Sequence, residues 1–166
     1  MEHIKPEIVQ RLKKSVQFFA DFTEDELIAF LKMMNYEKYT DRQIVFNEFD
    51  PGNKIYIILS GTIEIGKRIG KVDGDMKYTT LAELSPGECF GEMGLIDEAP
   101  RSARAVATEY AYLLSISNEK LANISKNPKY VYFSFKLYRN FCTMLATRLR
   151  ESNEKVVSMT PKIFGK

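Results

Sequence analysis

Residues 90 to 103 read Phe-Gly-Glu-Met-Gly-Leu-Ile-Asp-Glu-Ala-Pro-Arg-Ser-Ala, and no other stretch says more about fold and chemistry. Gly91 allows a sharp turn and a close approach of the backbone to a bound molecule. The residues after Glu92 predict one helical turn, whose exposed N–H groups attract anions. Arg101 follows the Pro100 loop as a cation that can hold a phosphate through two N–H donors. The stretch therefore predicts an anion-binding loop.

A strand is predicted to follow, over residues 101–107. In such a strand Arg101 lies on the same side as three small residues, namely Ala103, Ala105 and Ala107. One guanidinium beside three alanines predicts a cavity with a single cationic anchor, because a filled core needs larger side chains. Ser102 points to the opposite side, so its backbone N–H is a safer predicted donor than its hydroxyl.

Glu92 lies across this predicted cavity and can accept a hydrogen bond from a sugar hydroxyl. An enclosed phosphodiester needs a countercharge and several donors, which this stretch offers. Residue types alone leave an alternative open: Glu92 and Arg101 form an ordinary structural salt bridge, and Gly91 is only a turn residue.

The middle of the chain, from about residue 36 to residue 116, consists of short apolar runs between turns. The turn signals are Asp50-Pro51-Gly52-Asn53, Ser60-Gly61, Asp73-Gly74-Asp75 and Ser85-Pro86-Gly87. Between them, residues 62–65 alternate polar and apolar as a half-buried strand does. Such short strands and frequent turns predict a sandwich or a small barrel.

Both ends of the chain predict helices. A first helix is expected over about residues 7–15, and Thr23 with Glu26 has the spacing of a capping box for a second. Ser117 can cap a short helix through Ile124. Asn127-Pro128 is expected to start a longer helix that ends near Val157, with Pro161 just beyond it.

Composition narrows the function classes. The net charge of +2 does not favour a nucleic-acid or membrane surface, and the basic groups at residues 13–14 and 148–150 are interpreted as solvated helix faces. No apolar run approaches the ~20 residues needed to cross a bilayer. Cys89 and Cys142 are too far apart for a zinc pair, and the only histidine is His3. We therefore expect a cytoplasmic protein with reduced thiols, no metal site and no enzyme activity.

The motif at residues 90–103 resembles the phosphate-binding cassette of cyclic nucleotide-binding domains, which occur in catabolite activator proteins and in regulatory subunits of cAMP-dependent protein kinase. The resemblance extends to Asp50-Pro51-Gly52 with the strand after it, and to Leu84-Ser85-Pro86-Gly87-Glu88. It covers about residues 18 to 157. Gly94 stands where the kinase subunits have alanine, as it does in the activator proteins.

This resemblance implies an α+β fold, an eight-stranded antiparallel β-roll (a jelly-roll-like barrel) with N-terminal helices and a long C-terminal helix. The expected division is N-terminal helices at 1–35, a β-roll at 36–116 with the cassette at 90–103, C-terminal dimerisation or lid helices at 117–157 and a tail at 158–166. By resemblance, Glu92 holds a ribose 2'-hydroxyl and Arg101 holds the cyclic phosphate. The remaining implied donors are the amides of Gly91, Met93, Ser102 and Ala103.

The long C-terminal helix carries an apolar seam with alternating steps of four and three residues. Its members are Tyr138, Cys142, Leu145, Leu149, Ser152, Val156 and Met159. Such a seam predicts a homodimer. An earlier stripe of Phe133, Phe135, Leu137 and Phe141 is expected to pack within the chain. Resemblance to the dimerisation helix of activator proteins makes Ser152 and Asn153 candidates for contact with the base.

These features predict a regulatory module that binds cAMP or cGMP, needs no further cofactor, and moves its C-terminal helix on binding. Ser102 does not decide between the two nucleotides. The chain ends at Lys166, too early for the DNA-binding helices of activator proteins, so DNA binding is not expected. The alternative is an interaction protein that keeps the fold without a ligand. A cupin-like enzyme is disfavoured because the expected metal ligands are missing.

Overall fold

The computed structural model describes residues 5–72, 74–126 and 130–164 of this chain, with helices towards both ends and strands between them. The helices are α1 Pro6–Ser15, α2 Glu24–Leu31, α3 Met93–Ile96, α4 Asn118–Ser125 and α5 Val131–Phe164, with a 3₁₀ helix at Gln17–Phe19. The strands are β1 Asn35–Tyr39, β2 Ile44–Phe46, β3 Lys54–Ser60, β4 Ile63–Val72, β5 Asp75–Leu84, β6 Cys89–Phe90, β7 Arg104–Ala107 and β8 Ala111–Ser117.

The eight strands in the described part of the chain form two four-stranded sheets, and all their pairings are antiparallel. One sheet has the order β1-β8-β3-β6 and the other the order β2-β7-β4-β5. Buried side chains of both sheets, among them Ile58, Ile63 and Leu113, meet in one core. The predicted fold class, an antiparallel β-roll with helices at both ends, is confirmed.

Two predicted helix starts are confirmed at atomic detail. The Thr23 hydroxyl accepts a hydrogen bond from the Glu26 N–H, and the Glu26 carboxylate accepts one from the Thr23 N–H, which completes the capping box of α2. The Ser117 hydroxyl accepts from the Lys120 N–H at the start of α4. The predicted cap at Asn127-Pro128 and the turn residue Asp73 lie outside the described residues.

The first half of α5 packs against the N-terminal helices. Phe133, Leu137 and Phe141 are buried in a second core, and the ring of Phe133 lies 5.1 Å from that of Phe22. These three α5 residues recur every four positions and so share one face of the helix. Phe135 was predicted to belong to the same stripe. That prediction is wrong, because Phe135 points away from this face and is 61% exposed.

The strand predicted over residues 101–107 is shorter in the structure, since β7 begins at Arg104. The Arg101 N–H donates to the Asp50 carbonyl and the Arg101 carbonyl accepts from the Phe49 N–H, so its backbone pairs with the turn before β3. Ala105 and Ala107 pair with β4 and fill the core between the sheets instead of lining a cavity.

The C-terminal helix is longer than predicted. Helix α5 continues to Phe164, so its predicted end near Val157 is wrong. Residues 158–164, which were predicted to be a tail, belong to the helix. Pro161 lies inside the helix. A proline inside a helix removes one backbone hydrogen bond and weakens the helix there, and α5 ends three residues after it. Among the described residues, no helix is both long and apolar enough to cross a membrane.

Candidate functional site

A cavity of about 780 Å³ lies between β5, the segment 90–103 and the second half of α5. This volume is within the ~300–1,000 Å³ typical of small-molecule sites. The predicted binding residues Gly91, Glu92, Met93, Arg101, Ser102 and Ala103 all line it. Ser152 of α5 lines the same cavity. Asn153 is exposed on α5 and lies outside the lining, so the structure does not bring it to the others.

Arg101 is the buried cation of this cavity, with only 5% of its surface exposed. Its Nη1 donates to the Gly91 carbonyl at 2.8 Å and its Nη2 donates to the Lys54 carbonyl at 2.7 Å. The guanidinium carbon lies 4.1 Å from the centre of the Phe46 ring, a cation–π contact. These contacts hold the guanidinium at the cavity wall.

The charge of Arg101 is not neutralised by the described part of the protein. No carboxylate there forms a salt bridge with it, and its buried Nε has no hydrogen-bond partner. Burial lowers the pKa of the guanidinium, although neighbouring Tyr56, Glu92 and Asp50 partly offset this. An arginine nevertheless stays charged in proteins. The alternative of a structural Glu92–Arg101 salt bridge is therefore wrong.

Glu92 pairs instead with Arg148 of α5. The Glu92 side chain is 4% exposed, and its Oε1 accepts a hydrogen bond from Arg148 Nη1 at 2.8 Å. The second guanidinium nitrogen of Arg148 donates to the Cys89 carbonyl. The interpretation of residues 148–150 as a solvated face is wrong for Arg148, because its side chain reaches inward to a buried carboxylate. Its position four residues before Ser152 is a signal that could have placed it on the cavity face.

The backbone of the cassette requires glycine at position 91. Gly91 has φ +79°, which side-chain-bearing residues rarely adopt, and a Cβ there would lie 2.6 Å from Arg101 Nη1. Ser102 is exposed, whereas Arg101 is buried. The Ser102 hydroxyl lies 3.5 Å from Met93 Sδ. The Ser102 carbonyl accepts from Lys67 Nζ at 2.7 Å. Ser102, near the end of the segment, is thus in contact with Met93 near its start and with Lys67 of β4.

A second polar cluster, which the sequence patterns did not indicate, lies next to Arg101 and centres on Glu37 of β1. Lys54 Nζ donates to Glu37 at 3.0 Å, the Tyr39 hydroxyl donates at 2.6 Å, and the Ser115 hydroxyl donates as well. Burial raises the pKa of Glu37, but these three donors outweigh burial and the net pKa is lowered. Lys54 therefore joins the two sites, with its carbonyl on Arg101 and its ammonium on Glu37.

Metal-ligand groups and the buried cysteine are two further candidates for chemistry in the described part of the chain. Among residues 5–72, 74–126 and 130–164, no group of three or more His, Cys, Asp or Glu side chains is arranged to hold a metal ion. Cys89 is buried, and burial raises the pKa of its thiol, so it stays protonated. The arrangement can hold a small anion-bearing ligand between a cation, a carboxylate and a helix.

Known proteins are similar to this chain in fold and in sequence. The Cyclic AMP receptor protein of Thermus thermophilus is 33% identical over 141 residues, which are 84% of this chain and 60% of that protein. The crystal structure of Thermus thermophilus Catabolite Activator Protein matches with a TM-score of 0.68 and 32% identity, over 86% of this chain and 62% of that chain. A cyclic nucleotide-binding domain from Methylobacillus flagellatus KT matches in fold with a TM-score of 0.77 and 24% identity, over 95% of this chain and 87% of that chain.

The chain thus spans less than two thirds of the Thermus thermophilus relative. The family described as the cyclic nucleotide-binding domain matches residues 36–127, which include β1 from its second residue, all of β2 to β8 and the whole segment 90–103. The chain belongs to the cyclic nucleotide-binding domain family.

Proposed function

We propose that this protein is a regulatory module that binds a cyclic nucleotide, cAMP or cGMP, in the cavity between the cassette and α5. The observation that carries the proposal is Arg101, a buried cation at the cavity wall with no carboxylate partner among the described residues. A buried charge is normally paired, because its desolvation costs several kcal/mol otherwise. A cyclic phosphate supplies the missing negative charge.

The other predicted residues take roles around this anchor. The Glu92 carboxylate accepts a hydrogen bond from the ribose 2'-hydroxyl, and the amides of Gly91, Met93, Ser102 and Ala103 donate to phosphate oxygens. Ser152 contacts the base from α5. Asn153 would reach the base only after a rotation of the helix. The name of the Thermus thermophilus relative, Cyclic AMP receptor protein, supports cAMP as one ligand.

Helix α5 responds to the ligand in this proposal because it already shares the carboxylate that the ribose needs. Arg148 is bonded to Glu92, so a sugar hydroxyl at Glu92 changes the position that Arg148 and its helix prefer. The ligand thereby shifts α5 between two arrangements. We place this switch in the cytoplasm, where the thiols of Cys89 and Cys142 stay reduced.

A ligand-independent interaction protein is the second candidate. It is favoured by the same two arginines, since Arg148 already satisfies Glu92 and Arg101 already donates to two carbonyls. Titration calorimetry with cAMP and cGMP separates the two candidates, with 5'-AMP as the control that lacks the cyclic phosphodiester. We expect saturable binding of at least one cyclic nucleotide and much weaker binding of 5'-AMP. No heat at millimolar concentration of either cyclic nucleotide would leave only the second candidate.

We further propose a homodimer through the apolar seam of α5. The predicted seam residues Tyr138 and Leu149 are 41% and 63% exposed. Phe135 and Val131, seven and eleven positions before Cys142, continue the same spacing and are 61% and 59% exposed. A run of exposed apolar residues along one helix face is typical of a helix that pairs with a second copy.

Light scattering tests this pairing. We expect a dimer for the full chain and a monomer for Leu149→Glu, because the new carboxylate would lose its hydration when two helices pair along the seam. Tyr132→Glu is the control, since Tyr132 is 69% exposed on α5 but outside the seam. A monomeric wild-type chain at tens of micromolar would rule the pairing out.

A further inference from the structure

Asn118, the first residue of α4, connects three segments that meet beside the cassette. Its backbone N–H donates to the Asn53 carbonyl at 3.0 Å, which ties the start of α4 to the turn before β3. The cap of α4 is provided by Ser117, so the Asn118 side chain is not needed there. That side chain points towards the cassette instead.

The side-chain amide of Asn118 spans two of these segments. Its Nδ2 donates to the Gly52 carbonyl at 3.0 Å and to the Gly94 carbonyl at 3.1 Å. Gly94 belongs to α3, a helix of four residues whose carbonyls have few partners within the helix. The two N–H bonds of one amide therefore join the turn before β3 to the cassette helix.

The orientation of this amide follows from its partners. Rotating it by half a turn would place Oδ1 against two carbonyl oxygens, which repel it. The observed orientation leaves Oδ1 buried without a partner among the described residues. Asn118 thus keeps two donors at the cost of one unsatisfied acceptor, which indicates that the donors matter at this position.

The backbones that Asn118 joins are in direct contact. A Cβ at Gly94 would lie 2.6 Å from the Gly52 carbonyl oxygen and 2.8 Å from Gly52 Cα, so neither position has room for a side chain. Contact of two backbones without side chains between them transmits small displacements, because no flexible group absorbs them. The turn, α3 and the start of α4 are therefore expected to move together.

Helix α4 in turn shares a core with α5. Leu121 and Ile124 of α4 are buried in the same cluster as Phe133 and Leu137 of α5. We propose that Asn118 is a positioning residue that couples the cassette to the C-terminal helices: it holds α3 and the turn before β3 on α4, so that ligand-driven movement of the cassette reaches α5. This coupling rests on the proposed function for its ligand, while the attachment itself exists without one.

Hydrogen exchange followed by mass spectrometry tests both parts. The variants are Asn118→Ala, which removes the donors, and Asn118→Asp, which keeps the shape but presents oxygen to two carbonyls. Asn53→Ala is the matched control, because Asn53 is an exposed asparagine of the same turn whose side chain faces solvent. Each protein is measured alone and with saturating cAMP or cGMP, after thermal unfolding has shown that it is folded.

Without nucleotide, we expect Asn118→Ala to lower the protection of the amides in 93–97 by about tenfold, as two lost hydrogen bonds do, and Asn118→Asp to lower it further. With nucleotide, wild type and Asn53→Ala should change protection in both the cassette and α5. The Asn118 variants should change it in the cassette as wild type does and by a smaller amount in α5, where only the contacts of Arg148 and Ser152 with the site remain. If Asn118 had only a structural role, its variants would lower the protection of 93–97 without nucleotide. The cassette and α5 would still respond to nucleotide as they do in the wild-type protein.

Wild-type protection of 93–97 in the free variants would overturn the attachment, and an unchanged response of α5 would overturn the coupling. Failure of the proposed function gives a different result, namely no effect of either nucleotide on the wild-type protein. Even then the nucleotide-free measurements decide whether Asn118 holds α3 to α4. If Asn118→Asp does not fold, Asn118→Ala still provides both comparisons.

Discussion

Arg101 is a buried charge of the β-roll and Glu37 is a half-buried one, and their surroundings differ. The oxygens of Glu37 accept from Lys54, Tyr39 and Ser115. Arg101 donates to two backbone carbonyls, lies on the Phe46 ring and keeps an unpaired buried Nε. Lys54 contacts both, since its ammonium pairs with Glu37 and its carbonyl accepts from Arg101.

We propose that this difference separates a structural charge, Glu37, from a ligand-binding one, Arg101. A half-buried charge such as Glu37, whose oxygens accept from three donors, stabilises the fold and has few positions left for a ligand. A buried cation without a counter-anion, placed at a cavity, is costly to keep unless a ligand completes it. We therefore expect changes at Arg101 to act mainly on nucleotide affinity and changes at Glu37 to act mainly on stability.

The largest expected effect is on nucleotide affinity in Arg101→Ala. Removing the cation leaves the phosphate buried without its countercharge, which costs about 2–5 kcal/mol. Calorimetry with the preferred cyclic nucleotide measures it. The control is Arg104→Ala, since Arg104 stacks on Tyr78 and lies 3.7 Å from Glu64, outside the cavity lining. Equal affinity of Arg101→Ala and wild type would show that the anchor lies elsewhere.

Next in size is the loss of stability in Glu37→Gln. The amide cannot accept from all three donors and removes the charge that pairs with Lys54, so we expect the free energy of unfolding to fall by about 2–3 kcal/mol. Urea unfolding measures it, with the exposed Glu119→Gln as the control. Nucleotide affinity should change by less than about threefold, or roughly 0.6 kcal/mol. A large loss of affinity with little loss of stability would reverse the assignment of the two sites.

A smaller effect is expected from Gly91→Ala, which changes the wall of the Arg101 site without removing the charge. Alanine at φ +79° is strained by about 1–2 kcal/mol, and its Cβ would displace Arg101 Nη1. Both stability and nucleotide affinity should fall. Gly74→Ala, at φ +87° but in open space, is the control that carries the strain alone. If both variants bind nucleotide equally well, contact between Gly91 and Arg101 is not important for binding.

The smallest expected effect is the pH dependence that Glu37 adds to stability. Its pKa is lowered in the folded protein from the ordinary value of 4.5, because the hydrogen bonds and Lys54 outweigh burial. A lowered pKa stabilises the fold above the unfolded value and ceases to do so as pH falls through the folded value. The stability difference between wild type and Glu37→Gln should therefore shrink below pH 4.5. Urea unfolding at about pH 7, 5, 4 and 3 measures this, and a constant difference would contradict it.

Prediction from sequence succeeded where the deciding interactions are local. The capping box at Thr23 and the cap at Ser117 depend on residues three positions apart, and both form as predicted. The prediction that Phe135 is buried failed because α5 carries aromatic residues on two faces at that point. Only the position of the N-terminal helices decides which face is buried. The alternation of residues 101–107 predicts a strand that includes Arg101, but the Arg101 backbone pairs with the turn at Asp50.

By itself the sequence predicted short strands between turns, capped helices and the residue types of the segment 90–103, because turns, caps and alternation act over a few positions. The antiparallel β-roll was predicted from the resemblance to a known family. Only the tertiary structure decided which charges meet. Arg148 reaches Glu92 from 56 residues away, and Arg101 bonds a carbonyl 47 residues away. Asn118 joins Gly52 and Gly94 across 66 and 24 residues. Such pairings arise from the packing of whole elements, which local periodicity does not encode.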